Sequence, residues 1–260
     1  MVRAKPPAET LFEQYWNAPD DPALLRVYAD ELDRLGDPRG AFIHVCLAGE
    51  REARLAMMKK HGGALVGPGR EFLREYTFGD NGLVAAARTE ADKLIAGIGA
   101  IGQINPRLVL TITSVKTVAL AKELAKISLD RIYFVDFTSI TGSHGGTQLP
   151  DKVLRVIGPA FTNVRRLALS CRGRPEQCFS PDGLRAFSEH LGKLEYLNFD
   201  YYSAGLPPVA EYASVLATIP SLRVVHCFGM KPADLAGSRV KLSTSETTPQ
   251  RYEAIEAALA

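Results

Sequence analysis

The sequence predicts an α/β protein in two parts. A small helical N-terminal domain comes first, followed by an array of short strands and helices, with a parallel β-sheet on one face and the helices on the other. Three observations predict it. Two aspartate–proline pairs, Asp21-Pro22 and Asp37-Pro38, stand where amphipathic helices begin. The spacing apolar-x-x-apolar-x-apolar then returns at irregular intervals of 21 to 35 residues. Between these segments lie stretches with helical periodicity.

Taken in order, Asp21 can cap free backbone N–H groups while Pro22 occupies the first helical turn, where its missing N–H costs nothing. Leu24, Leu25, Tyr28, Leu32 and Leu35 follow at three- and four-residue steps and form the predicted buried stripe. Gly36 is placed to end that helix in a left-handed conformation. Asp37-Pro38 repeats the device and starts a helix carrying Phe42, Val45, Cys46, Leu55 and Met58, expected to run to Lys60 and stop at Gly62 or Gly63. "GDPRG" therefore reads as a very short helix–helix joint. Asp30, Glu31 and Asp33 fall opposite the leucines, and their spacing matches no calcium loop.

The stretch "DDPALLRVYADELDRLGDPRGAFI" resembles the repeat-companion domain, a small helical module of bacterial proteins. The hallmarks are Tyr28-Ala29-Asp30, a short spacer, Gly36 to Gly40, and Phe42-Ile43. The resemblance continues loosely through "KKHGGALVGP" and "YTFGDNGLV" and covers about residues 10–90. Glu31 departs from it, standing where the family usually has tryptophan. The resemblance implies a following leucine-rich-repeat-like array and a bacterial regulatory, signalling or defence setting.

The array can be sought in the remaining residues. "LDRIYF" (129–134), "VRRLAL" (164–169), "LEYLNF" (194–199) and "LRVVHC" (222–227) share the spacing; "NPRLVL" (105–110) fits with a polar first position and "VAAART" (84–89) fits poorly. In "VKTVALAKELAKI", Val115, Val118, Leu124 and Ile127 share a helical face. In "SPDGLRAFSEHL", Ser180 and Pro181 open a helix bearing Leu184, Phe187 and Leu191. In "VAEYASVLATI", Val209, Tyr212, Leu216 and Ile219 do the same. Such alternation implies a right-handed strand–helix solenoid, because no unit can bury its apolar stripe without a stacked neighbour. The asparagine usual after the strand is replaced by Phe137, Arg172, Tyr202 and Met230, which makes the array a degenerate leucine-rich-repeat-like one. The predicted division is residues 1–82 helical, 83–230 solenoid and 231–260 a C-terminal cap or tail. The competing fold is a three-layer α/β domain whose strand order jumps.

Composition narrows function. With 46% apolar and 23% charged residues and a net charge of +2, the chain has no overall field to draw nucleic acid or an anionic membrane. The N-terminus lacks a signal-peptide run, and "LIAGIGAIG" is too short to span a bilayer, so a cytoplasmic protein with reduced thiols is expected. Cys171 and Cys178 in "CRGRPEQC" lack the second pair of a zinc knuckle, and Cys227 reads as a small core hydrophobe. No metal or cofactor is expected. The glycine-rich "ITGSHGGTQLP" (140–150) matches neither the P-loop nor the dinucleotide fingerprint. A hydrolase or nucleotide-using enzyme centred there is the rival reading.

One further pattern remains. If the strands stack in register, Arg107, Arg131, Arg166 and Tyr196 form a row on the open sheet face. Arg165, Tyr133, Asn198, Arg223 and His226 flank it. A basic row interleaved with tyrosines suits an acidic partner, although Glu195 and Asp130 could simply neutralise it. The expectation is a non-catalytic protein–protein interaction scaffold or regulator. Arg107, Arg131, Tyr133, Arg166, Tyr196, Asn198, Arg223 and His226 are its partner-binding residues. Nucleic-acid binding through the same face is the second alternative.

Overall fold

The computed structural model describes residues 7–115, 117–138, 149–171, 178–201, 206–227 and 229–243. Residues 140–148 of the glycine-rich loop and the part of the expected C-terminal cap or tail after Ser243 lie outside them. The chain forms two compact units. The first takes residues up to Ala87 together with Gly97–Leu108, and the second takes Arg88–Ala96 and the residues from Val109 onward.

Among the described residues, helices α1 (Pro7–Asn17), α2 (Pro22–Arg34), α3 (Pro38–Leu47) and α4 (Arg51–His61) come first. They are followed by strands β1 (Glu75–Phe78) and β2 (Val84–Glu90), helix α5 (Ala91–Ile101) and strand β3 (Val109–Thr113). From there strand and helix alternate: α6 (Val118–Leu124), β4 (Phe134–Asp136), α7 (Asp151–Ile157), β5 (Arg166–Cys171), α8 (Pro181–Ser188), β6 (Tyr196–Tyr201), α9 (Val209–Leu216), β7 (Val224–His226) and β8 (Lys241–Ser243). The eight strands make one sheet whose order follows the chain from β1 to β8, without a jump. Every pairing from β3 to β8 is parallel.

In the second unit, one row of the register is Leu110, Val135, Leu167, Leu197, Val225 and Leu242. All but Leu242 are fully buried. Two residues further along, Ile112, Phe137, Leu169, Phe199 and Cys227 point to the same side, as the two-residue period of a strand requires, and they too are buried. Helix residues cover them: Phe161 lies between Phe137 and Phe187, with ring centroids 5.9 and 5.2 Å away, and Tyr212 packs on Phe199 at 5.3 Å. Of the expected stripes, Leu184 and Phe187 on α8 and Tyr212 and Leu216 on α9 are buried, Val209 is half-buried, and Leu191 and Ile219 are buried just beyond the helix ends. Ser180 caps α8 by accepting from Gly183 N at 3.1 Å. Helices α5 and α7 were not expected. The first lies in the stretch read only as weakly apolar, and the second is hidden behind the glycine-rich loop.

In the first unit, the aspartate–proline devices work as anticipated. Asp21 Oδ1 accepts from Ala23 N at 2.8 Å, and Asp37 Oδ1 from Arg39 N at 3.0 Å. Between them α2 ends in a Schellman motif: Gly36 (φ +73°) donates to Asp33 O and Asp37 N to Leu32 O. Asp37 also pairs with the Arg39 guanidinium at 2.6 Å. Gly40 completes "GDPRG" for a packing reason, because a Cβ there would collide with Ala29 O and Asp33 N of α2. That close approach buries Phe42, Ile43 and Cys46 on α3 and Leu25, Tyr28, Ala29 and Leu32 on α2.

Three expectations need correction. Val115 and Ile127 lie outside α6, which spans only Val118–Leu124, so they do not share its face. Leu35 leaves the stripe: it is the C-cap of α2 and 55% exposed. The helix expected from Pro38 to Lys60 is two helices, broken after Leu47, where Gly49 turns left-handed (φ +73°); Leu55 is exposed on the second. A period of three to four carries through a one-turn break, so spacing alone did not reveal it.

The joint makes a stability prediction. Asp37→Ala loses a cap and an ion pair and should cost about 1–2 kcal/mol, whereas Gly40→Ala forces α2 and α3 apart and should cost about 1–3 kcal/mol or more. Urea unfolding of the two variants beside wild type measures both. An unchanged midpoint for Gly40→Ala would mean that the helices do not approach so closely.

Candidate functional site

The register decides which side chains share the sheet face opposite the helices. One row there is Val109, Phe134, Arg166, Tyr196, Val224 and Lys241, and the next is Thr111, Asp136, Ala168, Asn198, His226 and Ser243. In the first row the pairing of Phe134 with Arg166 follows from Val135 lying opposite Leu167.

Arg166 and Tyr196 are register partners, as the expected row requires, and Asn198 and His226 are partners in the next row. Arg131 is not in the row; Phe134, three residues later, stands level with Arg166. Arg107 belongs to the first unit, where its guanidinium pairs with Asp20. The reason is a frame error. "LDRIYF" carries the apolar spacing three residues too early, and the register selects "IYFVDF" instead, with Ile132, Val135 and Phe137 inward. "NPRLVL" is early by two.

The face is also more closed than expected. Phe134, Ala168, Tyr196 and Val224 form a buried apolar cluster with Tyr133 and Val109 packed against it. Arg166 closes its margin: the guanidinium carbon sits 4.2 Å from the centre of the Tyr133 ring, and Nη2 lies 4.0 Å from Glu195 Oε2. Its side chain is only 12% exposed. A cation stacked on an aromatic ring and facing a carboxylate is held by both.

Asp136, which sequence reasoning passed over, lies in this face at 1% exposure. Its Oδ1 accepts from Thr138 N at 2.7 Å and Thr138 Oγ1 at 2.6 Å, and its Oδ2 from Thr111 Oγ1 at 2.9 Å. Burial pushes its carboxyl above the ordinary aspartate value, against the pull of those three donors. A lone acid inside "IYFVDF" was the available signal, since a carboxylate inside a core strand has to be hydrogen-bonded.

On the same face, three buried polar atoms have no hydrogen-bond partner among the described residues: Tyr196 Oη, Asn198 Nδ2 and His226 Nδ1. Such a group forfeits about 1–3 kcal/mol unless a water or another molecule meets it. Burial holds the His226 imidazole below its ordinary value and so keeps it neutral.

At the leading edge of the strands the character changes. Glu195 N donates to Arg165 O and Arg223 N to Glu195 O, which sets these three residues in one line across β5 to β7, while Lys241 on β8 stands one register position further along, level with Val224. Arg165, Arg223 and Lys241 are exposed, and Arg165 Nη1 reaches Glu195 Oε1 at 3.5 Å.

Neither the known protein-family models nor the curated proteins include a match to this chain. Among the described residues, no group of three or more histidine, cysteine, aspartate or glutamate side chains is placed to hold a metal ion, and no helix is long and apolar enough to cross a membrane.

The polar trio generates two predictions. Tyr196→Phe removes an unmatched hydroxyl and should leave the melting temperature unchanged or raise it; a clear fall would reveal a bound water on the hydroxyl. For His226 the folded state favours the neutral ring, so the unfolded chain binds more protons as the pH drops below the ordinary imidazole value of 6.5. Its contribution to stability is therefore complete above that value and is lost as the pH falls through the lowered folded one. Unfolding curves between neutral and acidic pH should show a smaller loss for His226→Gln than for wild type.

Proposed function

We propose that this chain is a non-catalytic protein-interaction module. In this reading a repeat-companion-like helical domain is joined to a short leucine-rich-repeat-like solenoid, and the leading edge of the sheet in the second unit receives an acidic surface of a partner protein. The observation that carries the proposal is the line Arg165, Glu195 and Arg223 with Lys241 one position further along β8, so that three exposed cations gather at one edge around a single acid, neighbouring strands being about 4.8 Å apart. Arg165 and Arg223 lie two strands apart, where like charges in water repel by roughly 0.4 kcal/mol. Glu195 pairs with Arg165, and three cations around one acid leave the edge with a surplus of positive charge that an acidic partner can meet. Arg131 lies partly exposed ahead of β4 and extends the same edge. Support for the solenoid comes from the strand order and from the parallel register, and support for the companion domain from the "GDPRG" joint. A bacterial regulatory or defence role follows from the resemblance.

Arg165 and Arg223 are the residues to test, because Arg166 supports the fold. Arg165→Glu with Arg223→Glu should abolish capture of the native partner from host lysate while moving the melting temperature by no more than a degree or two, since each exposed reversal costs about 0.5 kcal/mol or less. Arg166→Glu should lower the melting temperature, because it places a second carboxylate against Glu195 and removes the cation from the Tyr133 ring. Capture unaffected by the double reversal would refute the edge as the contact. Recovery of nucleic acid that is released steeply by added salt would favour the alternative of nucleic-acid binding.

A further inference from the structure

Cys171 and Cys178 take no part in the proposed contact, yet the fold brings them together. Cys171 ends β5 and is fully buried; Cys178 lies two residues before the Ser180 cap of α8. The two thiols are near enough for Cys178 to oppose the ionisation of Cys171. The carbonyl of Phe179 anchors the group, lying 3.7 Å from Cys171 Sγ and accepting from Tyr212 Oη at 2.9 Å. The two cysteines differ in their access to solvent. Cys178 forms part of the wall of an open cavity of about 530 Å³, with Asp151, Lys152, Phe179 and Pro207, whereas Cys171 sits behind it at 0% exposure.

We propose that Cys178 is a redox-modification site for small disulfides entering this cavity, and that Cys171 is its resolving thiol. In the first step the Cys178 thiolate attacks one sulfur of the small disulfide, forming a mixed disulfide and expelling one thiolate, which takes up the proton that Cys178 gave. In the second, Cys171 loses its proton and attacks the Cys178 sulfur, forming the Cys171–Cys178 disulfide and expelling the second small thiol. Two protein thiols are oxidised and one small disulfide is reduced to two thiols, so no further oxidant is needed. Cys171 Sγ already lies against the backbone of Phe179, the residue after Cys178, so a modest approach brings the sulfurs to bonding distance, and the bridge then ties the end of β5 to the start of α8. Burial pushes the Cys171 thiol up, which makes the second step the slower one and faster at higher pH.

The test is to incubate the native full-length chain with bis(2-hydroxyethyl) disulfide and follow intact mass and peptide maps over time. Wild type should pass through an adduct on Cys178 to a product lighter by two hydrogens, with residues 171 and 178 cross-linked, and that passage should quicken as the pH rises. Cys171→Ser should stop at the Cys178 adduct, and Cys178→Ser should leave Cys171 unmodified. A wild-type adduct on Cys178 that never resolves would overturn the pairing. Lack of reaction at Cys178, or modification of Cys46 and Cys227 at the same rate, would overturn the site, the latter because it signals reaction through unfolding.

Discussion

The row Leu110, Val135, Leu167, Leu197 and Val225 sets the geometry of the second unit. Each side chain is buried between its register neighbours and the helix layer, and each contributes on the order of 1.5–3 kcal/mol by leaving water. Shifting any strand by one residue would turn this row outward and drive the opposite face into the core, so the register has one acceptable value. Everything on the other face inherits that value. Arg166 meets Tyr133 and Glu195, Asn198 stands beside His226, and Asp136 reaches Thr111 because the apolar row permits no other alignment.

The two faces of the sheet therefore solve different problems. The helix side is filled by aromatic rings packed in tilted and edge-on pairs, from Phe137 through Phe161 to Phe187 and from Phe179 to Phe199 and Tyr212. The other side is buried as well, but mixes apolar groups with a hydrogen-bonded acid and three unmatched polar atoms. Unmatched polar groups weaken a core, and their concentration on two adjacent strands makes this the least satisfied part of the described chain. The exposed charges gather where the strands begin. Attraction between this edge and an acidic surface would be screened by salt, which suits steering and selectivity more than tight binding.

The first unit rests on local chemistry. A Schellman turn, one capping aspartate, one proline and one glycine without room for a side chain set the angle between α2 and α3 within Gly36–Gly40. The turn and the cap act over five residues or fewer and can be seen in a linear sequence, whereas the contact of Gly40 with Ala29 and Asp33 exists only in the folded helix pair.

That difference in range separates what was legible from what was not. The sequence by itself determined the helix starts at Asp21, Asp37 and Ser180, the stripes of α8 and α9, and the alternation of strand and helix, all consequences of side chains acting on their nearest neighbours along the chain. Only the tertiary structure decided the break after Leu47, the retreat of Leu35 to the surface, and the frame in which β3 and β4 join the sheet. "LDRIYF" and "IYFVDF" both satisfy the apolar spacing, and the choice between them depends on Leu110 and Leu167, at least 19 residues away. Because binding residues were assigned by counting from that frame, an error of three positions put Arg131 where Phe134 stands and left Asp136 unnoticed. Burial was hidden for the same reason: whether Tyr196 faces water or a closed cluster is settled by its neighbours across the sheet, Arg166 and Val224, and not by Glu195 and Leu197 beside it in the chain.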